Sequence, residues 1–256
     1  MTATWVDDYL ARIAAARPSS IDEDALRALQ AAHVGAVPFE NLSVHLGEPI
    51  VLDSEQLVDK VVRARRGGLC YELNGAFATL LDALGFPVTL LAARVIGPNG
   101  LGPPFDHMAL RVDLDEPWLV DVGYGRDAPQ RPLRLGDRSD QPDRTGFFRL
   151  ADAGAGDIEV LCDNRPQYLV EARPRELSAF EATCWWHQTS PRSPFTAGPV
   201  CTLPTVDGRV SISGRELVLT AGAERTVESI DDDATLLAAY RRWFGIHLRR
   251  VPGSAG

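Results

Sequence analysis

The pattern of apolar residues changes near Pro87, and this change restricts the fold more than any other feature of the sequence. Before it, apolar side chains recur every three or four residues, as in the run from Leu73 to Leu84. Such spacing gives a helix one apolar stripe. After it, stretches such as "HMALRVDL" alternate apolar and polar side chains, which is typical of half-buried strands. Helices followed by a run of short strands predict an α+β fold.

Helix starts and stops are marked by capping residues and glycines. The stretch "SIDE", Ser20–Glu23, has the form of a capping box, and Gly35 is the expected stop of the helix that follows it. Two more helices are predicted, one beginning at Asp53 or Ser54 and one at or near Cys70. Farther on, short strands are expected up to about residue 172, then a partly helical segment, a hairpin in "VSISGRELVLTAG" and a final helix in "DDDATLLAAYRRWFG".

Composition limits the possible function classes. The net charge of −9 argues against extended nucleic-acid binding but leaves room for a local basic site that binds a phosphorylated cofactor. The longest apolar stretch is interrupted by Asp82, Gly85 and Pro87, so no membrane span is predicted. Acids near the N-terminus do not fit a signal peptide. Four cysteines without a CxxC pair fit a reducing cytoplasm.

The stretch "RRGGLCYELNG", residues 65–75, places Cys70 after two glycines and at the start of a predicted helix. The free N–H groups and partial positive charge of a helix N-terminus favour a thiolate there. The glycines allow a sharp bend into the helix without a Cβ penalty. Two interpretations stay open from these residues alone: a nucleophile, or a small core residue, since free cysteines are often buried.

A thiol nucleophile needs a base, and the base needs a group that orients it. His107 begins one predicted strand and Asp121 lies in the next, with a turn centred near Asp115. Pairing about that turn places Asp121 opposite Ala109 and diagonal to His107, while a two-residue shift would place it opposite His107. Both registers put the two side chains on one face, where Asp121 can orient the imidazole. A solvent-facing histidine and a turn-bound carboxylate are the alternative explanations.

The other histidines and cysteines carry weaker signals. His33 is expected near a helix C-terminus, where a cation suits the helix dipole. His187, in "CWWHQ", is expected to be packed or to line a pocket. No two histidines have metal-ligand spacing. The remaining cysteines are expected to be structural: Cys162, Cys184 and Cys201.

A basic run of Arg63, Arg65 and Arg66 precedes Cys70. These arginines could attract phosphate groups, but pairing with acids or capping the preceding helix is the more common role of such a run. Arg66 directly precedes the two glycines and is the candidate to brace the cysteine loop.

Four stretches together resemble the arylamine N-acetyltransferases, in the family's order and at similar intervals: "VPFENLSVHLGEPI", "RRGGLCYELNGAFATLLDALGFPV", "HMALRV" and "WLVDVGYG". The likeness is specific from about Val37 to Tyr124 and weaker through "SPF", residues 193–195, to the C-terminal region. The resemblance implies three parts. These are an N-terminal helical bundle carrying the cysteine (1–86), a central antiparallel β-barrel domain carrying the histidine and aspartate and ending in an interdomain helical segment (87–190), and an α/β lid (191–256).

By matching motifs, the resemblance implies that Cys70 is the nucleophile, His107 the base and Asp121 the residue that orients it, in a papain- or transglutaminase-like triad. It implies ping-pong transfer of an acetyl group from acetyl-CoA, through a Cys70 thioester, to the nitrogen of an arylamine or arylhydrazine. Acetyl-CoA is the expected co-substrate, and no metal is expected. Splitting the transfer into two steps is the usual gain of covalent catalysis.

The acceptor must be flat and apolar, so the resemblance also implies an aromatic pocket. Tyr124 stands where we expect a phenylalanine in this family, and its hydroxyl could bond to a more polar acceptor. Gly123 and Gly125 are expected near the active site and CoA, although a turn after a strand explains them equally well. The acceptor-pocket candidates, each of which could also be plain core, are Phe39, Val95, Tyr124 and Phe195.

Three alternatives remain. Amide synthases that release a polyketide chain as a macrolactam from a carrier-protein thioester share this fold and triad, but they need a larger cleft, and no long insertion is present. A non-catalytic binding protein is disfavoured because all three triad residue types are present. The triad also permits a thiol hydrolase, so selectivity for an amine over water must come from the pocket and the lid. The expected setting is cytoplasmic, as a monomer or homodimer, without nucleic-acid or membrane partners.

Overall fold

The computed structural model describes residues 4–253 and confirms the α+β class. Helices occupy the first third and the end of that range, and strands dominate the middle. The α-helices are α1 (Thr4–Arg12), α2 (Glu23–Ala36), α3 (Leu42–Leu46), α4 (Ser54–Val62), α5 (Cys70–Leu84), α6 (Glu181–Thr189) and α7 (Asp233–Phe244).

The strands form two antiparallel sheets. Nine belong to a larger sheet and five to a smaller one. The strands are β1 (Phe39–Glu40), β2 (Val88–Gly97), β3 (Gly100–Leu101), β4 (His107–Asp113), β5 (Pro117–Val120), β6 (Leu133–Arg134), β7 (Gln141–Pro142), β8 (Phe147–Asp152), β9 (Ile158–Cys162), β10 (Arg165–Arg175), β11 (Val200–Pro204), β12 (Gly208–Ser213), β13 (Glu216–Ala221) and β14 (Glu224–Ser229).

Side-chain caps set the helix starts. Asp22 caps α2 by accepting a hydrogen bond, 2.9 Å long, from the backbone N–H three residues on. The capping box predicted at Ser20–Glu23 is therefore wrong, because the cap lies two residues later. Gly35 does not stop α2, which continues one residue further. Helix α4 begins at Ser54, within the predicted start, and Asp53 caps it. Gly85, in the left-handed conformation, ends α5.

The last turn of α2 faces protein and not water. His33 is fully buried, with its ring 5.0 Å from that of Phe77 and its Nδ1 atom 3.1 Å from the hydroxyl of Tyr9. Burial, together with the charge of Arg12, lowers the pKa of His33 to about 3. The expectation of a helix-terminal cation is therefore wrong, because α1 and α5 pack over this residue.

The larger sheet forms a nearly closed barrel. Its strand order is β6-β5-β4-β2-β10-β9-β8-β7, with β3 beside β2. A side chain joins the two edge strands, because Gln141 Oε1 accepts from the backbone N–H of Arg134 at 2.7 Å and Gln141 Nε2 donates to the Arg134 carbonyl at 3.1 Å. The side-chain amide thus makes the two hydrogen bonds that a neighbouring strand would make with the backbone of Arg134. It satisfies backbone groups at a sheet edge that would otherwise lack partners.

The hairpin of β4 and β5 has the first of the two predicted registers. Leu110 pairs with Val120, and the turn is centred on Asp115. Leu110 and Val120 face the helical bundle, whereas Ala109 and Leu119 face the barrel interior. Helix α5 packs against β4. The end of the hairpin that carries His107 and Asp121 therefore lies next to the start of α5.

The smaller sheet has the order β1-β11-β12-β13-β14. One of its faces packs against α7 and α3, through residues such as Ile212 and Tyr240. The hairpin of β12 and β13 and the final helix match the sequence expectation. Strand β1 comes from the N-terminal part of the chain, so this sheet ties that part to the C-terminal part. The boundaries between the three predicted parts, at 86/87 and 190/191, remain predictions. The first and last parts also include residues 1–3 and 254–256, which lie outside the described residues.

A buried ion pair fixes the loop that leads into α5. The guanidinium of Arg66, only 7% exposed, donates to both carboxylate oxygens of Glu40, at 2.8 and 3.1 Å, and to Glu48 at 3.0 Å. A Cβ atom on Gly67 would lie 1.8 Å from the Pro38 carbonyl oxygen. Gly67 is therefore needed for close approach to β1, and not for the sharp bend expected from the sequence. Arg66 braces the loop, as predicted.

The Arg66→Ala substitution leaves Glu40 buried without its counter-charge. We expect it to lower the free energy of unfolding by about 3–5 kcal/mol. The matched control is Arg63→Ala, which breaks an ion pair to Asp59 through a side chain that is 71% exposed. That control is expected to cost less than about 1 kcal/mol. Urea unfolding followed by circular dichroism measures both, and equal small losses would contradict the bracing role.

Candidate active site

Cys70 is the first residue of α5 and lies at the contact between the helical bundle and the barrel. It is 3% exposed, as the core interpretation predicts, yet it also lines a cleft of about 590 Å³. A Cβ atom on Gly123 would lie 2.7 Å from the Cys70 Cα atom. The loop after β5 therefore passes directly over the helix start, and only glycine allows that approach.

His107 and Asp121 are brought together as the hairpin register predicts. His107 Nε2 lies 2.7 Å from Asp121 Oδ2, and both side chains are buried. Burial alone lowers the pKa of His107, but the charges of Asp121 and Cys70 outweigh it and raise the pKa to about 10. The imidazole is thus held as a cation at neutral pH. It lies between a carboxylate and the sulfur of Cys70.

Asn74 orients Asp121, a role that the sequence reasoning missed. Its Nδ2 donates to Asp121 Oδ1 at 3.0 Å and to the Met108 carbonyl at 2.7 Å, while its Oδ1 accepts from the N–H of Val122 at 3.0 Å. The Gly123 N–H also donates to Asp121 Oδ1, at 2.8 Å. Burial opposes ionisation of Asp121, but His107 and these donors hold its pKa below the usual range. The available signal was spacing, since Asn74 follows Cys70 by one helical turn.

Two tyrosine rings pack against His107. The ring of Tyr168, on β10, lies 5.0 Å from that of His107, and the ring of Tyr124 lies 5.3 Å away. Tyr168 is fully buried and was not among the predicted site residues. The only sequence signal for Tyr168 was its place in the alternating stretch "QYLVEA", residues 167–172, where it falls on the inward face of a strand. These rings keep water from the histidine and so strengthen the charge interactions around it.

A cleft of about 590 Å³ opens above the triad. It is lined by all of the residues that the sequence predicts for the site except Asp121, which is fully buried beside His107. Lining the cleft does not by itself assign a role to any of them. The hydroxyl of Tyr124 donates to the Gln167 carbonyl at 2.9 Å, so bonding to an acceptor would have to compete with this contact. The predicted residues on the cleft wall besides Cys70 and His107 are Phe39, Val95, Gly123, Tyr124, Gly125 and Phe195.

A second histidine–aspartate pair borders the same cleft. His187 Nε2 lies 3.0 Å from Asp106 Oδ1, and its Nδ1 lies 3.0 Å from the hydroxyl of Ser193. His187 is 1% exposed and also packs on Phe195, with the ring centroids 4.9 Å apart. Both expectations for His187, packed and pocket-lining, are met. The pair fixes the Phe195 segment to the residue that precedes His107.

The remaining expectations concern thiols and metals. Burial raises the pKa of both Cys184 and Cys201, and Cys162 is buried as well, which fits inert structural thiols. Within residues 4–253, no group of three or more histidine, cysteine or acidic side chains is arranged to hold a metal ion.

Comparisons with known proteins agree with this geometry. A family model described as N-acetyltransferase matches residues 22–251. The arylamine N-acetyltransferase of Mycolicibacterium smegmatis is 34% identical over 255 residues, covering 96% of this chain and 93% of that protein. The solved arylamine N-acetyltransferase of Salmonella typhimurium superposes with a TM-score of 0.89 at 29% identity, covering 100% of this chain and 96% of that chain. The Mycobacterium marinum enzyme solved in complex with CoA gives 0.84 at 33% identity, covering 94% and 92%.

The Asn74→Ala substitution tests the orienting role. Without its donor, the Asp121 carboxylate is less stabilised, so its pKa rises and the imidazolium of His107 loses support. We expect the rate of Cys70 alkylation by iodoacetamide at neutral pH to fall about tenfold, the effect of one charge-assisted hydrogen bond. The acid limb of the pH–rate profile should also move to higher pH.

The matched control is Thr79→Ala, which removes a hydrogen bond within α5 that does not reach the triad. It should leave both the rate and the profile unchanged. A slower but unshifted profile in Asn74→Ala would indicate general loosening of the fold and would contradict the orienting role.

Proposed function

The chain belongs to the arylamine N-acetyltransferase family, and we propose that Cys70, His107 and Asp121 transfer an acetyl group from acetyl-CoA to the nitrogen of an arylamine or arylhydrazine. The observation that carries this proposal is the buried carboxylate–imidazole pair beside a cysteine at a helix start. A thiol, a base and an orienting group within one cleft are the requirements of nucleophilic acyl transfer.

The first half-reaction acylates the enzyme. The Cys70 thiolate attacks the carbonyl carbon of the acetyl-CoA thioester, and a new carbon–sulfur bond forms as the bond to the CoA sulfur breaks. The imidazolium of His107 gives its proton to the departing CoA thiolate. Asp121 holds the ring in place throughout, because its carboxylate is itself fixed by the amide of Asn74 and the N–H of Gly123.

The second half-reaction releases the product. The amine nitrogen attacks the acetyl carbon on Cys70, and the now neutral His107 takes the proton that the nitrogen must lose. Cys70 leaves as a thiolate, and the imidazolium–thiolate pair is restored. A weakly basic aromatic amine can be acylated in this way because the thioester carbonyl is activated and because the two reactants are held together.

The acceptor is proposed to lie between aromatic side chains. The rings of Phe39 and Phe195 are 6.0 Å apart, and both border the cleft together with Val95. Flat apolar walls near a catalytic thiol suit an aromatic ring better than a charged aliphatic amine. Gly123 and Gly125 are proposed to let the donor approach Cys70 closely.

The amide-synthase alternative uses the same triad, but no observation favours it. A cleft of about 590 Å³ is within the usual range for small-molecule sites. The relatives described above are all arylamine N-acetyltransferases.

The cellular setting is a separate proposal. Across the described range, no helix combines the length and the apolar character needed to cross a bilayer. We propose a reducing, cytoplasmic setting, which is supported by a sequence with four cysteines and no CxxC pair. The triad lies within one chain, so it is compatible with either a monomer or a homodimer.

Intact-protein mass spectrometry tests the proposed mechanism. Brief mixing with acetyl-CoA should add the mass of one acetyl group to the wild-type protein and none to Cys70→Ala. An added arylamine should then remove it. If no adduct forms while iodoacetamide still alkylates Cys70, the thiol is reactive but acetyl-CoA is not its donor, and the proposal is wrong.

The Phe195→Ala substitution tests the acceptor pocket. Losing one aromatic wall should lower kcat/KM for the arylamine about 10- to 100-fold, the value of burying an aromatic side chain's apolar surface. The rate of acetyl-enzyme formation should change less than about threefold, since the donor step does not need that wall. Phe147→Ala, at a phenylalanine that is 58% exposed, is the control. Equal losses in both half-reactions would contradict an acceptor-specific role.

A further inference from the structure

The face of the smaller sheet that does not pack against α7 lines the catalytic cleft. Cross-strand partners present their side chains on the same face, so the residues on this face form rows across β11 to β14. Two rows border the cleft above the triad, and the third borders an adjoining groove of about 330 Å³. The rows are Val200, Ser213 and Glu216; Thr202, Ser211 and Val218; and Pro204, Arg209, Thr220 and Arg225.

The adjoining groove is basic. Arg209 and Arg225 reach it from the sheet, and Arg126 and Arg144 reach it from the barrel side. None of its described lining residues is an aspartate or glutamate. Four arginines among the described lining residues make this groove locally basic in a chain whose net charge is −9. Such a local field attracts anions even though the protein as a whole repels them.

Strand alternation keeps the two acids of β14 away from the groove, whereas Glu216 lies on the cleft face two rows away. Glu224 and Glu228 lie on the same strand as Arg225, but their side chains alternate with it and project from the opposite face. Among the described residues, no carboxylate lies within ion-pair distance of Arg126, Arg144 or Arg225. Arg144 donates one N–H to the Val206 carbonyl, and its remaining donors, like the guanidinium groups of Arg126 and Arg225, can meet an external anion.

The groove is held open by contacts between the sheet and the barrel loop. The Nη2 atom of Arg209 donates to the Arg126 carbonyl at 2.7 Å, and its Nη1 atom donates to the Thr202 hydroxyl at 3.0 Å. Arg126 and Arg225 line both the groove and the catalytic cleft. The two cavities are thus one continuous surface, and a long ligand can occupy both.

We propose that Arg126, Arg144 and Arg225 bind the phosphate groups at the nucleotide end of the CoA donor, in a groove whose walls Arg209 holds together. This inference rests on the proposed function, because it requires the thioester at the other end of the same molecule to reach Cys70. Guanidinium groups bind phosphate oxygens through two parallel hydrogen bonds, which lysine cannot do. The groove supplies affinity for the donor. It does not take part in the chemistry at the thioester carbon.

This division of roles has a kinetic consequence. Binding energy gained far from the reacting carbonyl, and equal in the ground and transition states, lowers the half-saturating donor concentration without changing the maximal rate. A donor without phosphates, such as S-acetylpantetheine, cannot gain this binding energy. Salt should weaken binding of acetyl-CoA and leave binding of the uncharged donor unchanged.

The test measures acetyl-Cys70 formation with acetyl-CoA and with S-acetylpantetheine. For Arg225→Ala and Arg144→Ala, both exposed positions, the half-saturating concentration of acetyl-CoA should rise about tenfold each, as expected for loss of a charge-assisted contact. The maximal acylation rate, and both constants for S-acetylpantetheine, should change less than about twofold. Arg165→Ala, at an exposed arginine outside the groove, is the charge-matched control and should behave as wild type.

Competition by adenosine 3′,5′-bisphosphate gives an independent readout. It should inhibit acylation by acetyl-CoA in the wild type, and about tenfold more weakly in Arg225→Ala. Unchanged constants in both arginine variants, or equal losses with both donors, would overturn the groove assignment while leaving the proposed function intact. A wild-type protein acylated by neither donor would overturn the proposed function itself.

Discussion

The buried pair of His107 and Asp121 is the interaction on which the rest of this structure depends. Charges taken out of water are costly unless each is paired and its remaining hydrogen-bonding capacity is used. Here Asp121 meets that condition through His107, Asn74 and the N–H of Gly123. The polar network is satisfied at the carboxylate, and it is sealed by the ring of Tyr168. The imidazole is thereby left with one side for the sulfur of Cys70.

That network requires three parts of the chain to meet within a few ångströms. The helical bundle supplies Cys70 and Asn74, the barrel supplies His107 and Asp121, and the smaller sheet forms the far wall of the cleft. Two close approaches make the junction possible. Gly123 lies against the first turn of α5, and Gly67 lies against the loop before β1. The ion pair of Arg66 and Glu40 locks the second approach. Stability and function are thus coupled, since loosening this junction would separate the thiol from its base.

The sequence alone supported the local and register-based parts of this account. A helix start at Cys70 and a hairpin centred on Asp115, with His107 and Asp121 on one face, could be predicted because helix caps and strand parity are short-range properties. The resemblance to a family was needed to join the three residues into one site. The contacts missed were all long-range. Nothing local distinguishes Asn74 from an ordinary helical asparagine, or marks Gln141 as the link between edge strands. The error at His33 has the same origin, since its pattern matches a helix end, but Tyr9 and Phe77 bury it from elsewhere in the chain.

The most direct measurement of the central claim is the protonation state of His107, followed by ¹⁵N NMR of histidine-labelled protein, with His107→Gln to assign the signal. Asp121 and Cys70 raise the pKa of His107 to about 10, so the ring should stay an imidazolium through neutral pH and lose its proton only as the pH approaches that value. An imidazole already neutral at about pH 7, near the titration range of an ordinary histidine, would contradict the account.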